Sequence, residues 1–214
     1  MSTYLEHIFR AEFGEDRFLW ANHGHLFERP GFYLDIGCGP PVSGSNTHWL
    51  RALGWSGVGI DANPGYAEQW ERQTKPELTR FLCAILSPAP LVKFTFAHHC
   101  PGWSRIGEIP GVAQRWFGAT RLEPLLSALK VPQIDFLSLD LEGAEFDVLV
   151  SAPELFGGMK PAKVIVAEHS TAQTDGQVKR DERVMRLLDD YRMVHETKAN
   201  YVFIHESEME PTKP

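Results

Sequence analysis

The chain has 214 residues, a length that suits one sizeable hydrophobic core and is short for two independent domains. Hydrophobic residues make up 43% of it and charged residues 23%, an ordinary globular composition rather than that of a disordered protein. The formal net charge of −7 argues against a protein that binds nucleic acid by neutralising its phosphates. No apolar run is long enough to span a bilayer.

The N-terminus and the cysteines bear on the compartment. The sequence does not open with a basic stretch followed by an apolar one, which argues against a secretory signal. Cys38, Cys83 and Cys100 are odd in number and widely spaced, so they predict neither a disulfide framework nor a zinc site. We therefore expect a cytoplasmic protein with a small-molecule substrate, no nucleic-acid partner and no membrane span. Its oligomeric state is left open.

Short apolar runs predict five buried strands, each followed by turn residues or a helical pattern. In chain order they are Phe32–Ile36, Val58–Ile60, Phe81–Ile85, Ile134–Leu139 and Val164–Ala167. Helical spacing predicts helices over Thr47–Leu53, Tyr66–Gln73, Glu142–Val150 and about Gln177–Tyr191. This alternation predicts an α/β fold with a mostly parallel sheet covered on both faces. The runs Met193–Thr197 and Tyr201–His205 predict an antiparallel hairpin at one edge.

We expect residues 1–214 to form a single domain, in which two stretches fall outside the alternation. Residues 1–30 are rich in large aromatic residues and predict a helical cover. Residues 98–120 lack a clear period and predict an irregular insertion, of the kind that serves as a lid or binding loop. Its aromatic residues either stack on a substrate or anchor the insertion to the core; they are Trp103, Trp116 and Phe117.

The stretch Tyr33–Gly39 is the most informative about function. Its apolar strand carries Asp35 near its end and continues into Gly37 and Gly39. Glycine lets the backbone turn sharply and lets a ligand approach it closely, and open α/β sheets bind ligands at the carboxyl ends of their strands. The second strand ends in Asp61, whose carboxylate can accept hydrogen bonds from both hydroxyls of a ribose. These features predict a ligand that contains adenosine.

The loop after the first strand distinguishes between adenosine cofactors. A dinucleotide site needs a third glycine, and the chain has Val42 in that position. Pro40 and Pro41 also lack the N–H groups that a pyrophosphate would require. S-adenosylmethionine has no phosphate, and its cationic sulfonium and amino groups suit Asp35 and an acidic cleft. The loop therefore favours S-adenosylmethionine over NAD; an NAD-dependent oxidoreductase and a non-catalytic adenosine-binding module are the alternatives.

The run Ile134–Glu145 reads IDFLSLDLEGAE and resembles the hallmark of the FkbM family of methyltransferases, a strand that ends in Asp-x-Glu-Gly-Ala-Glu. Supporting matches are Phe13–Asp16, Ser45–Thr47, Gly54–Pro64, Ala84–Ser87 and Glu168–His169. Members of this family have a Rossmann-like methyltransferase fold and use S-adenosylmethionine. They typically methylate a hydroxyl oxygen of a sugar or a secondary metabolite. The resemblance therefore implies an O-methyltransferase.

The resemblance also implies roles for individual residues. The cofactor-binding residues would be Asp35, Gly37, Cys38, Gly39, Asn46, Asp61, Ala62, Asn63, Cys83, Ala84, Ile85 and Asp140. Within this set, Asp35, Gly37 and Gly39 would line the methionine part of the cofactor, Asp61 would hold the ribose and residues 83–85 would flank the adenine. Asp140 and Glu142 would face the reacting end of the cofactor.

In methyl transfer to a hydroxyl, aligning the hydroxyl oxygen with the methyl–sulfur axis can lower the barrier by ~7–11 kcal/mol. A base that takes the hydroxyl proton adds a rate factor of roughly 10²–10⁴. We predict Asp140, Glu142 and His169 as the catalytic residues, with hydrogen bonding of His169 to a neighbouring backbone group as the alternative. Glu145 is expected only to place negative charge at a helix N-terminus. A second chemical option is Mg²⁺ held by Asp140, Glu142, Glu168 and His169, which would lower the pKa of the substrate hydroxyl.

Overall fold

The structure, a computed structural model, describes residues 5–97, 99, 101–131, 133–152, 162–172, 178–180 and 182–209. The strands are β1 (Phe32–Ile36), β2 (Ser56–Asp61), β3 (Thr79–Cys83), β4 (Leu91–Thr95), β5 (Arg105–Ile106), β6 (Gln114–Gly118), β7 (Phe136–Leu139), β8 (Val164–Glu168), β9 (Ser170–Ala172), β10 (Val178–Arg180), β11 (Tyr191–Glu196) and β12 (Asn200–His205). The α-helices are α1 (Glu15–His23), α2 (His48–Ala52), α3 (Ala67–Gln73), α4 (Leu122–Leu129), α5 (Glu145–Val150) and α6 (Glu182–Leu187). None of the described helices is long and apolar enough to cross a membrane.

Seven strands form the main sheet, in the order β11-β12-β8-β7-β1-β2-β3. Strands β3, β2, β1, β7 and β8 pair in parallel, and β12 runs antiparallel to both β8 and β11. The predicted Rossmann-like α/β fold, with a mostly parallel sheet and a C-terminal hairpin at one edge, is therefore confirmed. The strand order reverses between β1 and β7, and open α/β sheets bind ligands in the crevice at such a point.

The central strands are buried along their whole length, as parallel strands with both faces covered should be. Side chains alternate between the faces along β1. Leu34 and Ile36 join a mainly aliphatic core on one face, whereas Tyr33 joins an aromatic core that includes Trp49 and Phe136. Burying each large apolar side chain contributes about 1.5–3 kcal/mol, so these two layers hold the central strands, and the loops that follow them, in place.

The predicted irregular insertion is more ordered than its sequence indicated. Strands β5 and β6 pair on either side of β4 and form a three-stranded antiparallel sheet, called here the small sheet. The prediction failed because β5 has only two residues, too few for an alternating pattern to be visible. Residues 98 and 100 of this insertion lie outside the described residues.

Two helix predictions need correction. The helix expected over about Gln177–Tyr191 is shorter, because α6 spans Glu182–Leu187 and the segment Val178–Arg180 pairs with β9 as a strand. That pairing overrides the local helical spacing; Gln177 lies outside the described residues. Helix α4 was not predicted, and its Pro124 lies in the first turn, where a helix tolerates proline.

Candidate functional site

A cleft opens at the carboxyl ends of β1, β2 and β7, where the strand order reverses. Its volume is about 190 Å³, many times the ~10–15 Å³ that one water needs on a comparable measure, so it has room for a ligand. Most of the predicted cofactor-binding residues line it: Gly37, Cys38, Gly39, Asp61, Ala62, Ala84, Ile85 and Asp140. The sequence motifs at three strand ends therefore converge on one cavity.

Residues outside the predicted site set also line the cleft. Glu12 of the N-terminal segment contributes, together with Phe94, Pro101, Ser104 and Ile106 of the small sheet and its connections. The match at residues 13–16 pointed to the N-terminal segment without identifying Glu12 itself. Pro101, Ser104 and Ile106 belong to the insertion predicted as a possible lid or binding loop, but they could not be predicted individually because their approach to the cleft depends on long-range packing.

Gly37 lets the ends of β1 and β7 lie next to each other. Its φ is +74°, and a Cβ added there would lie 1.6 Å from the backbone oxygen of Asp140. The Asp140 N–H donates to the Ile36 carbonyl at 2.9 Å, which fixes this approach. Gly39 also has a positive φ, of +53°, but nothing lies within 4 Å of an added Cβ. Close packing therefore requires glycine at position 37, whereas at position 39 only the backbone conformation does.

Alanine substitutions should separate these two requirements. We expect Gly39→Ala to lower the free energy of unfolding by about 1–2 kcal/mol, the cost of a left-handed backbone for a residue with Cβ. Gly37→Ala should cost that amount plus at least ~1–3 kcal/mol, because the new methyl group overlaps the Asp140 backbone. Urea unfolding of both variants measures the difference, and equal losses would contradict the close approach of β1 and β7.

The backbone N–H groups of the glycine loop are already used within the protein. Gly37 and Cys38 both donate to the Ile60 carbonyl, at 2.8 and 3.2 Å. Gly39 donates to Oδ2 of Asp61 at 2.9 Å, and the next two residues are prolines without an N–H. Residues 37–41 therefore offer no backbone donor to a phosphate group.

Asp61 is held in a fixed position at the end of β2. Its Oδ2 accepts the Gly39 N–H, and its Oδ1 accepts the Asn63 N–H at 2.7 Å. Burial raises the pKa of Asp61, and these two N–H donors counteract part of that rise. Each carboxylate oxygen keeps a second lone pair. Asp61 can therefore anchor the loop and still accept hydrogen bonds from a ligand in the cleft.

Four predicted cofactor residues do not line this cleft: Asp35, Asn46, Asn63 and Cys83. Asp35 is buried, and its Oδ2 accepts the Thr47 hydroxyl at 2.5 Å. Asn46 donates from Nδ2 to the Ser138 hydroxyl at 3.2 Å. Their geometry fits support of the loop after β1 better than direct contact with a ligand.

Among the described residues, every charged side chain that lines the cleft is acidic. These residues are Glu12, Asp61 and Asp140. Asp140 is open to the cleft on one side but closely surrounded by protein. This burial, reinforced by the charges of Asp35 and Asp61, raises the pKa of Asp140 to about 6, against the lowering effect of a hydrogen bond with Glu168. The cleft thus favours cationic over anionic ligand groups.

Three acidic residues, called here the carboxylate cluster, lie beside the cleft: Asp140, Glu142 and Glu168. One oxygen from each residue lies within 4.8 Å of the others, a spacing that could hold a metal ion. Glu168 Oε2 also accepts the backbone N–H of Glu142 at 3.1 Å. His169 is not part of this cluster, so the structure does not bring together the four Mg²⁺ ligands suggested by the sequence.

Within the carboxylate cluster, Glu142 has a raised pKa. Burial, followed by the negative charges of Asp140 and Glu145, raises its pKa from 4.5 to about 8, while the charge of Arg105 lowers it. The folded protein therefore keeps a proton that the unfolded chain releases above pH 4.5. Its contribution to the stability of the folded protein is therefore fully present below pH 4.5 and is lost as the pH rises through about 8.

Glu142→Gln should remove this part of the pH dependence of stability. Near pH 4.5 the variant and the wild type should be equally stable, because both side chains are neutral there. Above about pH 8 the variant should be roughly 1–3 kcal/mol more stable. Denaturant unfolding at both pH values measures this difference. Asp147→Asn, at an exposed acid of α5, is the control and should leave the pH dependence unchanged.

Glu145 folds back over the loop that precedes its own helix. Its Oε1 accepts the Leu141 N–H at 2.5 Å, and its Oε2 accepts the Gly143 N–H at 3.1 Å. Burial raises its pKa to about 7. Glu145 therefore holds the loop before α5, and the expectation that it only places negative charge at the helix N-terminus stays a prediction.

His169 neither lines the cleft nor belongs to the carboxylate cluster. It is buried, with Nε2 at 3.1 Å from the Thr197 carbonyl and its ring centroid at 4.2 Å from that of Tyr201. Because a carbonyl only accepts hydrogen bonds, Nε2 must be the protonated nitrogen in this contact. This geometry matches the alternative in which His169 bonds a backbone group, and it does not place His169 at a reacting centre.

The aromatic residues of the insertion differ in their surroundings. Phe117 packs against Phe94 and Phe96, with ring centroids 6.3 and 5.4 Å away, and so anchors the small sheet. Trp103 and Trp116 are 62% and 61% exposed. The anchoring interpretation therefore holds for Phe117, whereas the two tryptophans are open to a ligand.

Comparison with known proteins gives weak likenesses only. No family model and no curated protein matches the chain, so membership of the FkbM family is not confirmed. A methyltransferase structure from Geobacter sulfurreducens matches with 13% identity and a TM-score of 0.47, over 94% of this chain and 82% of that one. A Haemophilus influenzae protein with the provisional name of a methylase matches with 11% identity and a TM-score of 0.43, over 95% and 89%. Likeness at this level does not assign a function to the chain.

Proposed function

We propose that this chain is an S-adenosylmethionine-dependent methyltransferase. The observation that carries the proposal is the charge of the cleft: among the described residues, its charged lining residues are the acids Glu12, Asp61 and Asp140. S-adenosylmethionine brings a positive sulfonium and a positive ammonium, which these acids attract. A dinucleotide would bring two phosphates to the same acids and to a loop without free N–H donors.

The cleft suggests how each part of the cofactor is held. Asp61, fixed by two backbone N–H groups, accepts hydrogen bonds from the ribose hydroxyls. Ala84 and Ile85 provide apolar surface for the adenine ring. Gly37 and Asp140 line the cleft where the methionine part of the cofactor would lie. All of these residues line the one cleft.

The bound cofactor supplies a methyl group that its positive sulfur already activates for displacement. Asp140 accepts the proton of the acceptor hydroxyl as that oxygen forms its bond to the methyl carbon and the carbon–sulfur bond breaks. With a pKa of about 6, Asp140 is mostly ionised at neutral pH and can act as this base. We further propose that the acceptor is a hydroxyl of a sugar or secondary metabolite, as the resemblance of the Ile134–Glu145 run implies.

Titration calorimetry tests the cofactor directly. S-adenosylhomocysteine should bind the purified protein with one site per chain, whereas NADH should give no saturable heat. Binding of NADH without binding of S-adenosylhomocysteine would overturn the proposal. Binding of S-adenosylhomocysteine, with no transfer of radiolabelled methyl to any of a panel of hydroxylated acceptors, would instead favour a non-catalytic adenosine-binding module.

A further inference from the structure

A short loop directly before α1 borders the cleft. It comprises residues 10–14, called here the entry loop, and its Glu12 lines the cavity. Ala11 of this loop forms an isolated parallel bridge with Gly44, which lies in the connection after β1 and also lines the cavity. The entry loop therefore lies against the part of the cleft that the connection after β1 forms.

Asp16, in the first turn of α1, fixes the path of the entry loop. Its side chain is buried, and Oδ2 accepts the N–H groups of Arg10 and Ala11 at 2.5 and 2.9 Å. Its Oδ1 accepts the N–H of the next residue at 2.8 Å. Gly14 has a φ of +83°, a left-handed conformation that glycine adopts readily. These contacts hold the backbone on both sides of Glu12 in one conformation.

Glu15 ties the same helix end to the main sheet. It is buried, and its Oε1 accepts the Thr197 hydroxyl at 3.1 Å and the side-chain N–H of Asn200 at 2.7 Å. Thr197 follows β11 and Asn200 begins β12, so both lie at the turn of the C-terminal hairpin. The entry loop is therefore anchored to the edge of the main sheet as well as to α1.

Glu12 differs from the other two acids of the cleft in its own contacts. Asp61 accepts two backbone N–H groups, and Asp140 is hydrogen-bonded with Glu168. Glu12 is exposed, and among the described residues its carboxylate takes part in no hydrogen bond or ion pair. Both of its carboxylate oxygens are therefore available to a ligand.

We propose that Glu12 binds the ammonium group of the cofactor's methionine part, so that the entry loop recognises the amino-acid end of the cofactor. This inference rests on the proposed methyltransferase function and deepens it. Asp61 is assigned to the ribose and Asp140 to the reacting end, which leaves the acid beside the connection after β1 for the third polar part of the cofactor. An ammonium has three N–H donors, and its hydrogen bonds to a carboxylate are among the strong ones.

Two ligands that differ in a single group test the proposal: S-adenosylhomocysteine and its deaminated analogue, in which hydrogen replaces the amino group. Both contain the adenosine, the sulfur and the carboxylate. Each is titrated by calorimetry into the wild-type protein. We expect S-adenosylhomocysteine to bind about tenfold or more tightly than the analogue, because only the former brings an ammonium to Glu12.

Variants identify the residue responsible. Glu12→Gln should reduce the preference to less than about threefold by weakening S-adenosylhomocysteine, while the affinity for the analogue stays the same. Asp61→Asn should weaken both ligands by the same factor, because both contain the ribose. Glu28→Gln removes an exposed acid of the N-terminal segment that does not line the cleft, and it should change neither affinity. Melting curves establish that the variants are folded.

The proposal is overturned if the wild type binds both ligands equally or if Glu12→Gln keeps the full preference, including the case in which it weakens both ligands alike. It is also overturned if Glu28→Gln lowers the preference as much as Glu12→Gln, since the effect would then be one of net charge. Failure of the methyltransferase proposal would look different, because neither ligand would then give saturable heat with the wild type.

Discussion

Replacement of Asp61 by alanine is expected to weaken the binding of S-adenosylhomocysteine by about 100-fold or more. Hydrogen bonds to a charged group contribute ~1.5–3 kcal/mol each, and Asp61 is proposed to accept one from each ribose hydroxyl. Two such bonds amount to at least ~3 kcal/mol, or two orders of magnitude in Kd. Titration calorimetry on the wild type and the variant measures this ratio.

Asp61 also holds the loop through the N–H groups of Gly39 and Asn63, so the control must separate ligand contact from loop structure. Asp61→Asn retains one oxygen that can accept a loop N–H but lacks the charge, and it should weaken binding by an intermediate factor of roughly tenfold. Glu68→Ala, at an exposed acid of α3, should have no effect. An Asp61→Ala variant that binds S-adenosylhomocysteine like the wild type would remove Asp61 from the ribose site.

The second large effect is expected at Asp140, whose replacement by asparagine should slow methyl transfer by roughly 10²–10⁴-fold. Asparagine has nearly the same shape but cannot take the proton of the acceptor hydroxyl. The affinity for S-adenosylhomocysteine should change by less than about threefold, since a proton acceptor acts mainly in the transition state. Single-turnover transfer of radiolabelled methyl to an accepted substrate measures the rate.

Asp147→Asn is the matched control for this substitution, because Asp147 is an exposed acid of the adjoining helix α5. It should transfer methyl groups at the wild-type rate. If Asp140→Asn also keeps that rate, Asp140 is not the base. Loss of cofactor binding in the same variant would show that Asp140 holds the cofactor instead.

The central part of the fold could be predicted from the sequence because its strands are continuous apolar runs. Strand β1 has the bounds predicted for it, and the Tyr201–His205 strand lies within one residue of its prediction. The small sheet and helix α4 could not be predicted in the same way. A two-residue strand carries no period, and a proline suggests a helix break even where the first turn accommodates it.

The candidate site was predictable where its residues directly follow a strand. Asp61 and Asp140 both end parallel strands and so reach the same edge of the sheet. Glu12 and Phe94 follow no such rule, since they approach the cleft from separate segments through tertiary packing. His169 shows a further limit: a residue after a strand can turn to either face, and its direction depends on tertiary contacts, here with Thr197 and Tyr201.

The most direct test of this account is a crystal structure of the protein with S-adenosylhomocysteine bound. The account predicts that the ribose hydroxyls lie within hydrogen-bond distance of Asp61 and that the sulfur faces Asp140 across open space. Ligand density elsewhere on the protein, or a phosphate-bearing nucleotide in the acidic cleft, would contradict it.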